Sequence, residues 1–316
     1  MYKRQELKEK VGALLKIAAL NEGAKEYILN NPELFKLLLK AAKRYIGGET
    51  MEEAIATAKR INDKGLPTSL EFMGESTRSV EESESVTQHF FDLINKVKEE
   101  NINSIVSLDL SHIGLAIDKD LAYNNLVLLA ESALKKDIEI VISAEGIDRT
   151  DDIINTFCKI SPDFPNVGIT LQAYLNRTPK DLERILNETQ GKIRIVKGAF
   201  AVPPGHAVER GKHLDDQYIQ YIETLFLKNR RCSIATHHNI VQNRVKGLIE
   251  QYDIPKSKYE FEMLLGIQEN LLNEIYKEGY PCRQYIVYGD EWYLYMCNRI
   301  AENPDNLFQA MVDIMS

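Results

Sequence analysis

Cysteine is scarce in this chain. Cys158, Cys232, Cys282 and Cys297 stand far apart and form no CxxC pair, so neither a zinc site nor a disulfide framework is indicated, and buried free thiols in a reducing compartment are expected. Positive charge is also in short supply: 39 Lys and Arg against 47 Asp and Glu leave a net charge of −8. That balance argues against nucleic acid or an anionic membrane surface as the main partner, because both demand clustered cations. No apolar run approaches the ~18 residues needed to span a bilayer. The opening MYKRQELKEK is charged and lacks the apolar centre of a signal peptide. A soluble, cytoplasmic protein without a transmembrane segment is expected. With 44% hydrophobic and 27% charged residues, the composition is that of an ordinary globular protein able to bury a large core.

The chain changes texture near Gly65-Leu66-Pro67. Residues 1–66 read as a helical segment. ELKEKVGALLKIAAL has helical apolar spacing, Asn31 precedes Pro32 as a cap, and Thr50 with Glu53 forms a capping box. Over 67–316, short β-branched runs alternate with amphipathic helices. The strand candidates are 68–74, 102–110, 138–144, 167–173, 192–198, 232–237, 259–264 and 283–289. The intervening helices carry their own start signals, Ser79 with Glu82 and Thr178 before Pro179. Eight alternating units predict an α/β fold, a (βα)8 barrel of the TIM type preceded by the helical segment. A doubly wound open sheet is the alternative, since periodicity does not reveal closure.

In a barrel the chemistry belongs at the C-terminal ends of the strands. Those positions offer Glu75, Asp109 with His112, Ser143 with Glu145, Gln172, Arg194 with Lys197, Thr236-His237-His238, Glu262, and Tyr285 with Tyr288. Each has a structural reading: Glu145 as a helix cap, Gln172 as a partner for a buried backbone group. Of the adjacent histidines only one can face the axis, because neighbouring strand residues point to opposite faces, and one of the two is expected to be structural. Carboxylates with histidines suit a divalent metal. Arg194, Lys197 and the small Gly198-Ala199 suit an organic cofactor with an electron-rich ring or phosphates. No HxH or HExxH spacing favours the metal.

The strand-end words also carry a resemblance. RIVKGAF (194–200), IATHHN (234–239), YEFEMLLGI (259–267) and YIVYGDEWYLYMCNRIAENPDN (285–306) resemble, in order and spacing, those of the proline dehydrogenase family. LEFMGES, LSHIGLAID and LQAYLNRTPKDL extend the match to about residues 68–310. The resemblance implies a distorted barrel holding FAD and oxidising proline to pyrroline-5-carboxylate by hydride transfer, with no metal. It places Gln172, Arg194, Lys197, Gly198, Ala199, Thr236 and His237 at the cofactor, with His238 and Glu262 beside them. Arg194 is the catalytic candidate, a fixed cation near the reactive flavin nitrogen. Leu264 and Tyr285 are expected to line the substrate pocket. The electron acceptor, quinone or oxygen, leaves no mark in the sequence.

The departures from the family pattern are concentrated at the substrate carboxylate. A lysine and two arginines hold it in the family; the matching positions here are Asp109, Asn298 and Arg299. Ser143 replaces an aspartate, Glu262 a glutamine, Leu265 a tyrosine and Val287 a proline. Losing two charge-assisted hydrogen bonds at about 1.5–3 kcal/mol each weakens free proline by roughly two orders of magnitude or more. Asp109 adds like-charge repulsion. The resemblance thus implies an amine oxidoreductase, dehydrogenase or oxidase, acting on a small proline-like or other secondary amine rather than free L-proline. Ordinary proline oxidation is the alternative, and an inactive flavin-binding or interaction protein the third.

Overall fold

The computed structural model describes residues 21–74, 76–302 and 306–315, with single positions between 10 and 17. The helix expected over 6–20 lies largely outside them, as does Glu75. Three helices lead in: α1 (Glu22–Leu29), α2 (Pro32–Ala42) and α3 (Met51–Asn62). Their starts follow the sequence signals. The Asn31 side-chain oxygen accepts from the Leu34 amide at 3.2 Å with Pro32 at the first position. The Thr50 hydroxyl accepts from the Glu53 amide, and the Glu53 carboxylate accepts from the Glu49 amide at 2.7 Å.

Eight parallel strands follow: β1 (Thr68–Phe72), β2 (Ser104–Leu108), β3 (Ile140–Ile142), β4 (Val167–Gln172), β5 (Ile193–Val196), β6 (Cys232–Ala235), β7 (Tyr259–Leu264) and β8 (Cys282–Tyr288). They are connected by α4 (Val80–Glu99), α5 (Lys119–Leu134), α6 (Thr150–Ile160), α7 (Thr178–Glu188), α8 (Lys212–Leu227), α9 (Asn239–Gln251) and α10 (Glu269–Lys277). The sheet is a closed barrel in chain order. Pairing of β1 with β8, Leu70 opposite Ile286, removes the open-sheet alternative. The Ser79 box opens α4 as expected. Thr178 behaves differently: it is the first residue of α7, and its hydroxyl donates to the Gln172 carbonyl at 2.6 Å instead of capping.

Strand alternation divides the buried side chains. Leu70, Leu108, Ile193, Ile195, Ile234, Phe261 and Ile286 face outward into the main core with Phe90, Leu129, Phe157 and Ile222. The residues between them face the axis, and many are polar. Where a barrel interior is ordinarily packed with branched apolar side chains, this one holds Ser69, Ser107, Arg194, Ser233, Glu262 and Arg283.

The last helices, α11 (Trp292–Glu302) and α12 (Asn306–Met315), close a second core. Trp292, Met296 and Ile300 of α11 pack with Ala41 and Ala42 of α2, Tyr45, and Tyr285 and Val287 of β8. The Trp292 ring meets Phe35 edge-on at 5.2 Å, and its N–H donates to Glu49. The aromatics of WYLYMCNRIAE therefore join the N-terminal helices to the barrel. Among the described residues no helix is long and apolar enough to cross a membrane.

Candidate active site

A cavity of about 600 Å³ opens at the C-terminal ends of the strands, within the size range of small-molecule and cofactor sites. At its deep end lies Arg194, directed inward from β5 and 3% exposed. Its Nε donates to Glu262 Oε2 at 2.7 Å and its Nη2 to Glu262 Oε1 at 2.9 Å. Ser107 and Thr170 accept from the remaining donors, and the Tyr285 ring stacks 4.8 Å from the guanidinium. Burial opposes the charge on Arg194, but the Glu262 carboxylate outweighs it and raises the pKa. The cation is permanent, and it is paired. Its expected neighbour Glu262 is a carboxylate partner for Arg194 as well as a wall of the cavity.

One side of the cavity is acidic. Glu71 of β1 accepts hydrogen bonds from Ser143 and from the Tyr285 hydroxyl, and Asp109 stands beside it at the end of β2. Burial, then the charges of Glu71 and Glu145, push the Asp109 pKa well above the ordinary carboxylate range. Burial and Glu71 likewise raise Tyr285, which stays a neutral donor. Glu75 is the strand-end carboxylate expected here, and Glu71 instead holds the position. The signal was there: Ser69 and Glu71 are two apart and share the inward face.

The opposite side is basic and small. Lys197 Nζ donates to Asp215 Oδ1 at 2.5 Å and lies 2.9 Å from His238 Nδ1. Gly198 has φ of +106°, where a Cβ would collide with the Tyr174 ring, so only glycine lets the backbone turn Lys197 and Ala199 toward the cavity. Arg210 reaches back to the Gly198 carbonyl at 2.9 Å. Thr236, His237 and His238 all line the cavity. The expectation that only one histidine faces it is corrected, because β6 stops at Ala235 and strand alternation no longer governs residues 237 and 238. His237 Nδ1 is buried with no hydrogen-bond partner among the described residues, and burial, aided by Arg299, lowers its pKa to about 3.

Gln172 lines the cavity while its amide donates to the Glu145 carbonyl at 3.0 Å. Glu145 is structural, accepting from the Ser111 amide and from Arg149. His112 is buried behind Asp109, its Nε2 3.6 Å from Asp109 Oδ2, and Tyr288 is buried against His89. Leu264 and, from α11, Tyr295 and Arg299 complete the wall. Asn298 is not among the residues that line it.

The sequence model of the family described as Proline dehydrogenase matches residues 54–310. Proline dehydrogenase 1 of Bacillus subtilis (strain 168) is 31% identical over 265 residues, covering 84% of this chain and 87% of its own length. The chain belongs to the proline dehydrogenase family. A proline dehydrogenase of Deinococcus radiodurans is 30% identical over 270 residues, with 84% and 87% covered. Among solved structures, proline utilization A from Bdellovibrio bacteriovorus, inactivated by N-propargylglycine, superposes with a TM-score of 0.82 at 20% identity. It covers 93% of this chain, which spans only 36% of that longer protein, and it supports the barrel fold alone. As a proline dehydrogenase family member, the chain is an oxidoreductase acting on a proline-type amine. The family is one of flavoenzymes.

Proposed function

We propose that this protein binds FAD in the strand-end cavity and oxidises a cyclic secondary amine whose carboxylate is masked or absent, in preference to free L-proline. FAD suits the residues present. The volume is adequate, the Gly198 turn presents small groups and backbone, and the unpartnered His237 Nδ1 leaves a polar atom at the wall. Gln172, Lys197, Ala199, Thr236 and His237 are positioned to hold it, with Arg194 at the deep end. When bound, FAD would accept the hydride from the carbon next to nitrogen as C=N forms, with the N–H proton passing to solvent, and quinone or oxygen would be the external carrier of the electron pair.

The observation that carries the substrate choice is the Glu71–Asp109 wall. Two carboxylates, with Ser143 and Tyr285 already engaged by Glu71, face the cavity where an anionic substrate needs cations. Arg299 is the one counterpart kept from the family's clamp. A substrate amide, ester or added amine is compatible with that wall; a free carboxylate is repelled by it. The free thiols support a reducing, cytoplasmic setting.

The test is the visible spectrum of the purified protein, followed by anaerobic titration with L-proline, L-prolinamide, proline methyl ester and pyrrolidine. A flavin spectrum bleached by the amide or ester at far lower concentration than by proline is expected. Equal or tighter bleaching by L-proline would overturn the substrate assignment. A colourless protein that takes up no added FAD would favour the inactive reading.

A further inference from the structure

The pair at the bottom of the cavity is unusually complete. One carboxylate from β7 meets both Nε and Nη2 of Arg194 on β5, at 2.7 and 2.9 Å. The other guanidinium hydrogens point to Ser107 at 3.1 and 3.2 Å, Thr170 at 3.4 Å and Ser69 at 3.5 Å. Glu262 in turn accepts from Ser69 at 2.5 Å. Both charges are almost wholly buried, Arg194 at 3% and Glu262 at 2% exposure. Four strands besides its own therefore fix the guanidinium in place, and it cannot swing toward a ligand without abandoning a buried carboxylate. The cation that borders the cavity is neutralised by an anion in contact with it. Glu71 and Asp109 are the next carboxylates along the cavity wall.

We propose that Glu262 is a positioning and tuning residue: by locking Arg194 and cancelling its charge, it lowers the reduction potential of a redox ring held in the cavity. This rests on the FAD reading above. Reduction by hydride adds two electrons and one proton, so the ring gains one negative charge. A fixed cation nearby favours that state, and a neutral ion pair favours it much less, the more so in a site closed to water. The uncharged isostere at position 262 leaves Arg194 as a net cation and raises the potential; removal of the arginine alone leaves Glu262 as a net anion and lowers it.

The experiment is the midpoint potential of the full-length FAD-loaded protein, measured by equilibration with reference dyes, for wild type, Glu262→Gln, Arg194→Gln and the double variant. Glu262→Gln is expected to raise the potential by about 30 mV or more, a tenfold change in a two-electron equilibrium. Arg194→Gln is expected to lower it by a similar amount, and the double variant to return near wild type. A role in packing alone moves stability without this antisymmetric pattern. If Glu262→Gln fails to hold FAD, Arg194→Gln decides, and an unchanged potential there overturns the proposal. Potentials that stay within a few millivolts in all variants overturn it while leaving the FAD reading intact. Wild-type protein that takes up no FAD sinks both.

Discussion

At the N-terminal end of the barrel interior, Lys192, Arg231 and Arg283 meet Glu139 and Glu260. Arg231 pairs with Glu139 at 2.6 Å, Arg283 with Glu260 at 2.9 Å, and Lys192 bridges both carboxylates. Two residues further along the same strands, Arg194 and Glu262 form their own pair, and above them Glu71 and Asp109 stand close enough to act on each other. The lower layer is closed: burial disfavours the Glu260 carboxylate, but Arg283 and Lys192 outweigh it and depress its pKa. The upper layer shifts the other way, with Asp109 raised by burial and by its acidic neighbours. One fold thus holds a balanced network that serves stability and, a single strand period away, an excess of negative charge that costs stability. An arrangement that costs stability at the mouth of a cavity is what a ligand site requires.

That contrast can be broken from below first. Glu260→Ala strands Arg283 and leaves Lys192 with Glu139 alone at 3.8 Å, and it is expected to cost about 3–5 kcal/mol, read from denaturant midpoints. A loss near zero means that the lower network contributes nothing. Next, Asp109→Lys restores a cation to the acidic wall and is expected to raise kcat/KM for free L-proline roughly ten- to a hundredfold. Asn298→Arg, from a position outside the cavity lining, adds less. Unchanged proline kinetics in the Asp109→Lys variant would show that this wall does not select the substrate.

Asp109→Asn removes the excess charge without adding a cation, and a gain of about 1–2 kcal/mol near neutral pH is expected. Because the folded-state pKa of Asp109 is raised above 3.8, the native protein binds more protons there than the unfolded chain. Its contribution is present at low pH and lost as pH rises through the folded value. Midpoints measured against pH should lose that decline in the variant. His237 acts with the opposite sign. Its pKa falls from 6.5 to about 3, so the unfolded chain holds the extra proton and stability drops as pH falls across that window. A His237→Asn variant with an unchanged slope there would remove His237 as the cause.

Much of the architecture was readable because each strand puts apolar residues outward and each helix announces its start locally. Ser79 with Glu82 and Asn31 before Pro32 act within one turn, and the structure keeps them. Thr178 carried the same local signal and failed, since a carbonyl at the end of β4 competed for its hydroxyl. The histidine assignment failed for a related reason: periodicity says which face a strand residue takes and is silent on where the strand stops.

The sequence by itself determined the eight βα units and the family, because those rest on local periodicity and on the order of short words. Only the tertiary structure decided that Glu71 faces Asp109, that Arg299 lines the cavity while Asn298 does not, and that Arg194 is bound to Glu262. Those contacts join residues far apart in the chain, and barrel closure with its register sets which of them meet. The charge at the cavity floor is a sum over strands, and no single stretch of sequence contains it.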